Sequence, residues 1–359
     1  MIAVRRNQGN RVDQSDGALD QRGGAVVNVH NWNEVVAAAT RAPSIHNTQP
    51  WRFTASPDRL EVHFDPERFL PILDPTHRQQ VISCGVAVEF AAVALRVEGR
   101  DVEVDVAPDP GNPDHLATVR VVGERPADED DEALAAAISE RHTTRAPFLP
   151  QEVPAGLIDR LQSEAGEYGV WVENVSREDA ELVTVFLLNR AEEAERGDPA
   201  YRAELEVWLR TDPDPDAVDG VPVTAVPGDD PTARPSNWLI RDFLVGSRVQ
   251  QPAAVVHDDD PPPAVERPAV LLMGTMGDDR AAWVQAGRAL GRVLLRLTAA
   301  GLAASPLTQA LDWPATRTRL QVELSLVGHP QMLLRLGWPS GQATATGRRP
   351  VAEVLHATD

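Results

Sequence analysis

Lysine is absent from the 359 residues, so all 34 basic side chains are arginine. That absence removes Schiff-base chemistry with a carbonyl, a pyridoxal aldimine, a phosphate-loop lysine and the Ser-Tyr-Lys reductase arrangement. Every cationic task falls to guanidinium, which stays charged and binds phosphate through a planar fork. Cysteine is nearly absent too. Cys84 stands alone, which excludes internal disulfides, thiolate zinc sites and iron–sulfur clusters. Positive charge is in deficit: 34 basic against 54 acidic residues give a net charge of −20. Such a surface repels phosphate backbones and anionic lipid, so neither nucleic acid nor a membrane surface is an expected partner. The nine histidines are scattered, with no His-x-x-x-His or His-x-x-Glu-His pair, and no intrinsic metal site is expected. The longest apolar runs are broken by Glu89 or by Arg288, Arg292 and Arg296, so no bilayer span is expected. No charged-then-apolar leader opens the chain, and the expected location is cytoplasmic.

What remains is a globular balance, 42% hydrophobic and 25% charged, sufficient for a full core. Residues 1–30 read as a polar, Gly-containing arm. Asn31 and Glu34 have capping-box spacing ahead of a helix that Pro43 stops. Residues 59–64 (RLEVHF), 101–106 (DVEVDV) and 117–122 (ATVRVV) alternate apolar and polar as half-buried strands do. Residues 80–98 are too long and Ala-rich for a strand and read as a buried helix. The charged, Pro-containing stretch 123–132 marks a junction between a first half, 31–128, and a second, 129–359. In the second half helices are expected at about 132–140, 154–165, 177–196, 199–210 and 279–300. Strands are expected at 169–175, 269–276 and 331–338. Each half holds a long Ala/Leu/Val helix, then a Gly, then a strand, which suggests a divergent duplication. The expected architecture is α+β, with a central helix pair flanked by two mixed sheets. A Pro/Asp/Gly-rich insertion occupies about 211–262. A calcium loop begun at its DPDPDAVDG segment (212–220) would have Ala217 and Val223 where Gly and Glu are needed, which excludes calcium. Arg288, Arg292 and Arg296, at i, i+4 spacing, read as a solvated helix face.

Three clusters could carry chemistry. Residues 42–53 (APSIHNTQPWRF) set Pro43, Ser44, His46, Asn47, Thr48, Gln49 and Trp51 just past a helix end. They read equally as an ordinary polar turn and as directed amides and hydroxyls beside a rigid ring, suited to a planar heterocycle. In RHTTRAPF (141–148), Arg141, Thr143 and Arg145 are alternate residues that share one face in extended chain. They form an anion site or a solvated loop. Near the C-terminus, TGRRPVAEVL places Arg348 and Arg349 before a Pro, by itself no more than a charged turn.

Together and in this order the clusters resemble the nitroreductase-like FMN proteins, within them the fused, tandem-duplicated Acg-type subfamily of actinobacteria. The resemblance rests on Pro43-Ser44-x-x-Asn47-x-Gln49-Pro50-Trp51, on Arg141-x-Thr143-x-Arg145, on the Gly301–Thr308 segment and on Arg348-Arg349-Pro350 before Glu353-Val354. It spans roughly residues 31–356. It implies two fused halves forming a pseudo-dimer with one intact flavin site, covered by the 211–262 insertion as a lid. It implies that Arg141 and either Arg348 or Arg349 hold the FMN phosphate, with Thr143 nearby, and that Arg145 sits at the pyrimidine edge. Pro43, Ser44 and Asn47 would line the ring and ribityl chain, and Ser305, Pro306, Leu307 and Thr308 would approach through backbone groups. His46 occupies a variable position. The implied activity is two-electron transfer from NAD(P)H through FMN to a nitroaromatic, quinone or similar acceptor. The protein would be a monomer resembling a dimer, or a homodimer of such units. The rival readings are a silent FMN-sequestering protein under a closed lid and a flavin-free scaffold.

Overall fold

The computed structural model describes residues 31–210, 216–222, 225, 236, 238 and 265–357. The expected N-terminal arm, 1–30, and most of the expected lid lie outside the described residues. In chain order the elements are α1 (Trp32–Thr40), a 3-10 turn (Ile45–Asn47), β1 (Trp51–Ser56), β2 (Arg59–Phe64), α2 (Arg78–Val97), β3 (Arg100–Val106) and β4 (His115–Glu124). Then come α3 (Glu129–Glu140), α4 (Ala155–Gly166), β5 (Val170–Asn174), α5 (Glu178–Gly197), α6 (Pro199–Trp208), β6 (Leu209–Arg210) and β7 (Val221–Pro222). The chain closes with β8 (Ala269–Thr275), α7 (Arg280–Ala299), β9 (Ala303–Pro306), α8 (Gln309–Asp312), α9 (Pro314–Glu323), β10 (His329–Gly337), α10 (Val351–Val354) and β11 (Leu355–Ala357).

The α+β architecture is built around α2 and α7. α2 packs on β2, β3 and β4, α7 on β5, β8, β9 and β10, and the two helices pack on each other. Eighteen of the twenty residues of α2 are buried. By length and composition α2 could cross a membrane, Glu89 notwithstanding, but it is the core helix of this fold. The helix crossing is close because glycines face each other. A Cβ on Gly85 would meet the Val284 carbonyl oxygen at 2.4 Å, and one on Gly287 the Ile82 oxygen at 2.1 Å. One sheet runs β11-β1-β2-β4-β3 and the other β5-β8-β10-β9. All their pairings are antiparallel except β1 with β11, where Phe53 stands opposite Leu355. The C-terminal strand thus completes the sheet built by the first 128 residues, and the chain crosses the expected junction twice.

Local chemistry departs from expectation in three places. Asn31 makes no side-chain cap to α1; its amide donates instead to Glu34 Oε1 at 2.6 Å. The working capping box belongs to α3, where Asp128 and Asp131 bond each other's backbone amides, so that helix starts at Glu129 rather than about 132. The arginine stripe is not a solvated face. Glu89, fully buried in α2, draws in Arg292 (3.0 Å), Arg96 (3.3 Å) and Arg288 (3.5 Å), and the Tyr168 hydroxyl donates to it at 2.8 Å. Arg296, only 6% exposed, pairs with Asp130 and Glu164. A carboxylate in an apolar core needs such partners, because desolvation alone would neutralise it.

Candidate functional site

The turn after α1 is built from residues in an unusual conformation. His46, Asn47 and Gln49 have φ of 44°, 56° and 50°. Left-handed backbone at non-glycine residues costs free energy and persists only where surrounding bonds over-determine it. Those bonds are present. The Ser44 hydroxyl accepts from the Gln49 amide at 2.9 Å, and the Ser83 hydroxyl on α2 accepts from the Ile45 amide at 3.2 Å. Asn47 Nδ2 donates to the Gly220 and Gly347 carbonyls, both at 3.1 Å, while its Oδ1 accepts from Arg348 at 3.2 Å. Gln49, fully buried, donates to the Val218 carbonyl at 2.7 Å and accepts from the Arg349 amide at 2.9 Å. The two motif amides therefore clamp residues 218–220 and 347–349 onto the turn.

The second cluster is fixed by β9 and β10. The Thr144 amide donates to the Ala304 carbonyl at 3.0 Å, with a parallel bridge between Thr143 and Ala304. Fully buried Arg335 on β10 pairs with fully buried Glu266 at 2.8 Å and donates to the Ala146 carbonyl at 2.9 Å, while Glu266 accepts the Phe148 amide at 2.7 Å. Arg145 is thereby carried on a stretch whose backbone is tied at both ends.

Two contiguous clefts result, sharing Pro43, Ser44, Thr143 and Arg145. The larger is an apolar slot. Ile82 and Val86 of α2 face Leu290 and Leu294 of α7, with Met332 and Leu334 of β10, and Ile45, His46, Gln79, Ser83, Ala304, Ser305, Pro306 and Thr308 complete it. The smaller is cationic, bounded by Asn47, Arg141, His142, Val221, Thr344, Thr346 and Arg348. In it, Arg141 and Arg348 both donate to the carbonyl of Arg41, at 3.2 and 3.3 Å. Arg141 is buried and Arg348 half-buried; the Nε of each is shut off from solvent without a hydrogen-bond partner. Among the described residues neither has a carboxylate partner. Burial, with Arg348 and Arg41 close by, pushes Arg141 down to about 9; burial and Arg41 push Arg348 down to about 10. Both remain charged at neutral pH.

Ten of the twelve residues singled out from sequence line these clefts: Pro43, Ser44, Asn47, Arg141, Thr143, Arg145, Ser305, Pro306, Thr308 and Arg348. Leu307 and Arg349 do not. Leu307 is buried in the core beneath β10, its amide bonded to the Leu333 carbonyl at 2.9 Å. Arg349 points the other way, toward Asp65 (3.4 Å) and Glu353 (3.6 Å). Of the two C-terminal arginines, it is Arg348 that faces the cationic cleft. The slot walls escaped the sequence reading. Their signal is the pairing of Ile82/Val86 with Leu290/Leu294, i, i+4 steps on facing helices, which ordinary core packing produces as well.

No family model matches the chain. Its relatives are nevertheless close over nearly its whole length. It is 37% identical over 349 residues, 94% of this chain and 96% of the relative, to the Mycobacterium tuberculosis protein provisionally named NAD(P)H nitroreductase Rv3131. The chain belongs to the NAD(P)H nitroreductase family. A second M. tuberculosis member of that family, Acg, is 29% identical over 89% of this chain and 94% of its own. PigM of Serratia, also named an NAD(P)H nitroreductase, is 24% identical over 89% of this chain and 91% of its own. Among solved structures, the FMN-dependent nitroreductase NfnB of Mycobacterium smegmatis in complex with NADPH aligns at a TM-score of 0.35, with 18% identity over 64% of this chain and all of that one.

Proposed function

We propose that this nitroreductase-family chain is an FMN-dependent NAD(P)H oxidoreductase. The observation that carries the reading is the pair Arg141 and Arg348. Two like-charged guanidiniums that share the Arg41 carbonyl, with no carboxylate beside either among the described residues, favour an anion between them. A phosphate dianion supplies the compensation they lack, through charge-assisted hydrogen bonds. The slot next to them has the apolar walls of a planar-ring site, and the residues present fit FMN. Arg141 and Arg348 would hold the phosphate, with the Thr143 and Thr346 hydroxyls beside it. Ile82, Val86, Leu290 and Leu294 would sandwich the ring and exclude water from it.

Bound there, the flavin supplies hydride acceptance from a reduced nicotinamide and two-electron donation to a nitroaromatic, quinone or similar acceptor. The chain's task is orientation and charge. Arg145, bordering both clefts, would place its fixed positive charge beside the bound ring and stabilise negative charge there. Ser44 and Ser83 are committed to holding the turn, so they shape the slot rather than move protons. In this reading residues 31–128 contribute the Pro-Ser turn and 129–359 the arginine turns, as in a dimer fused into one chain. Within the described part of the insertion, the Val218 and Gly220 carbonyls are bonded to Gln49 and Asn47 of that turn, which supports a covering role for it.

An absorbance spectrum followed by anaerobic NADPH titration tests the proposal. Bound flavin that bleaches promptly is the expected result. Bound flavin that NADPH does not bleach favours sequestration, and a colourless chain that takes up no FMN overturns both readings.

A further inference from the structure

A second constellation shares no residue with these clefts. Glu61 and His63 stand two apart on β2, so both leave the face opposite to buried Leu60, Val62 and Phe64. The register of β2 on β4 sets His63 opposite His115, at a bulge between Val62 and His63. The two imidazoles stack with centroids 4.6 Å apart, and His63 Nε2 lies 3.4 Å from Glu61 Oε2. One potential ligand atom from each of the three side chains lies within 4.8 Å of the other two.

We propose that Glu61, His63 and His115 form a binding site for a divalent transition-metal ion of the imidazole-preferring class, zinc being the representative. The donor set is chemically apt: two neutral imidazoles and one carboxylate are the ligands such ions take, at roughly 2.0–2.2 Å. Ligand atoms on a tetrahedral ion at that radius lie about 3.4 Å apart, so the cluster closes by at most about 1.4 Å of side-chain movement. The side chains can make that movement, since Glu61 and His63 are 24% and 23% exposed. Outer contacts orient the ligands. Arg59 Nε donates to Glu61 Oε1 at 3.1 Å, leaving Oε2 toward His63, and His115 Nε2 is 2.9 Å from the Thr118 hydroxyl. Three protein ligands leave a fourth position for water or an exogenous group. The net charge of −20 favours cation capture. Sequence inspection missed the site because strand register, not helical spacing, brings residues 63 and 115 together.

The test is isothermal titration of the tag-free, chelator-stripped full chain with zinc chloride. One equivalent should bind, and His63→Gln and His115→Gln should each weaken it at least about tenfold. Far-UV circular dichroism identifies any variant that has not folded. Anomalous diffraction at the zinc edge from the wild-type chain then decides independently of substitutions. A peak between Glu61, His63 and His115 supports the proposal. Absence of stoichiometric uptake, uptake unchanged in folded His63→Gln and His115→Gln variants, or a peak elsewhere overturns it.

Discussion

Arg348 and Arg349 are adjacent in sequence and separable in function. Arg348 converges with Arg141 on the Arg41 carbonyl, whereas Arg349 is spent on Asp65 and Glu353. Arg348→Gln should therefore weaken FMN binding roughly 10–100-fold, the worth of about 1.5–3 kcal/mol in charged hydrogen bonds. Arg349→Gln should leave it nearly unchanged. Quenching of flavin fluorescence gives both constants, and equal losses in the two variants would remove Arg348 from the phosphate role. Asp74 offers a different residue-scale test. It is buried ahead of α2, accepts the Gln80 amide at 2.9 Å, and burial pushes its carboxyl up to about 6. Between the ordinary aspartate value of 3.8 and about 6, the folded chain holds a proton that the unfolded chain has released. The stability this linkage supplies is complete below the unfolded value and is lost as pH rises through the folded one. Asp74→Asn should abolish that slope, so urea-derived stabilities of variant and wild type should diverge across the window by about 3 kcal/mol. Parallel profiles would show that Asp74 titrates normally.

At the scale of the element, the α2–α7 seam concentrates both packing and charge. Arg96, Arg292 and Arg288 hold the Glu89 carboxyl below its usual value against the burial that would raise it. Glu89→Gln leaves three arginines around a neutral amide, and breaking a buried ionic cluster from one side costs about 3–5 kcal/mol. Chemical denaturation should show the midpoint falling accordingly, while a loss below about 1 kcal/mol would mean that water replaces the carboxylate. The seam also shows what the sequence makes legible. Both helices are visible as Ala/Leu/Val runs too long for strands, and β2, β3 and β4 as alternating runs. The stripe Arg288, Arg292, Arg296 defines a face, but spacing does not reveal what the face meets. The isolated Glu89 in the facing apolar run was the available clue. β1 went unread because Ser44, Asn47 and Gln49 made the whole stretch look like a turn, and its partner β11 lies about 300 residues away. The motif residues of the site were legible for the same local reason: their strained turn and paired arginines carry meaning without their neighbours. The slot walls were not, since Ile82 or Leu294 looks like any core residue until the opposing helix is in place.

For the molecule as a whole, the decisive feature is that the two sheets share one core. Phe53, Leu60 and Val62 from the first belong to the same buried cluster as Leu271, Met273, Leu334 and Leu336 from the second, joined through α2 and α7. Neither sheet covers its helix without the other, and β11 ties the C-terminal segment back beside β1. The folded parts should therefore unfold together: tryptophan fluorescence and far-UV circular dichroism should trace one coincident urea transition. The ligand makes this sharper. The cationic cleft draws Asn47 from the first half and Arg141, Thr143 and Arg348 from the second, so FMN held there as proposed should stabilise both at once. At a free concentration of 100 times Kd, both probes should report the same added stability, about 2.7 kcal/mol. Two transitions, only one of which moves with FMN, would mean that the halves fold independently and that the cleft belongs to a single half.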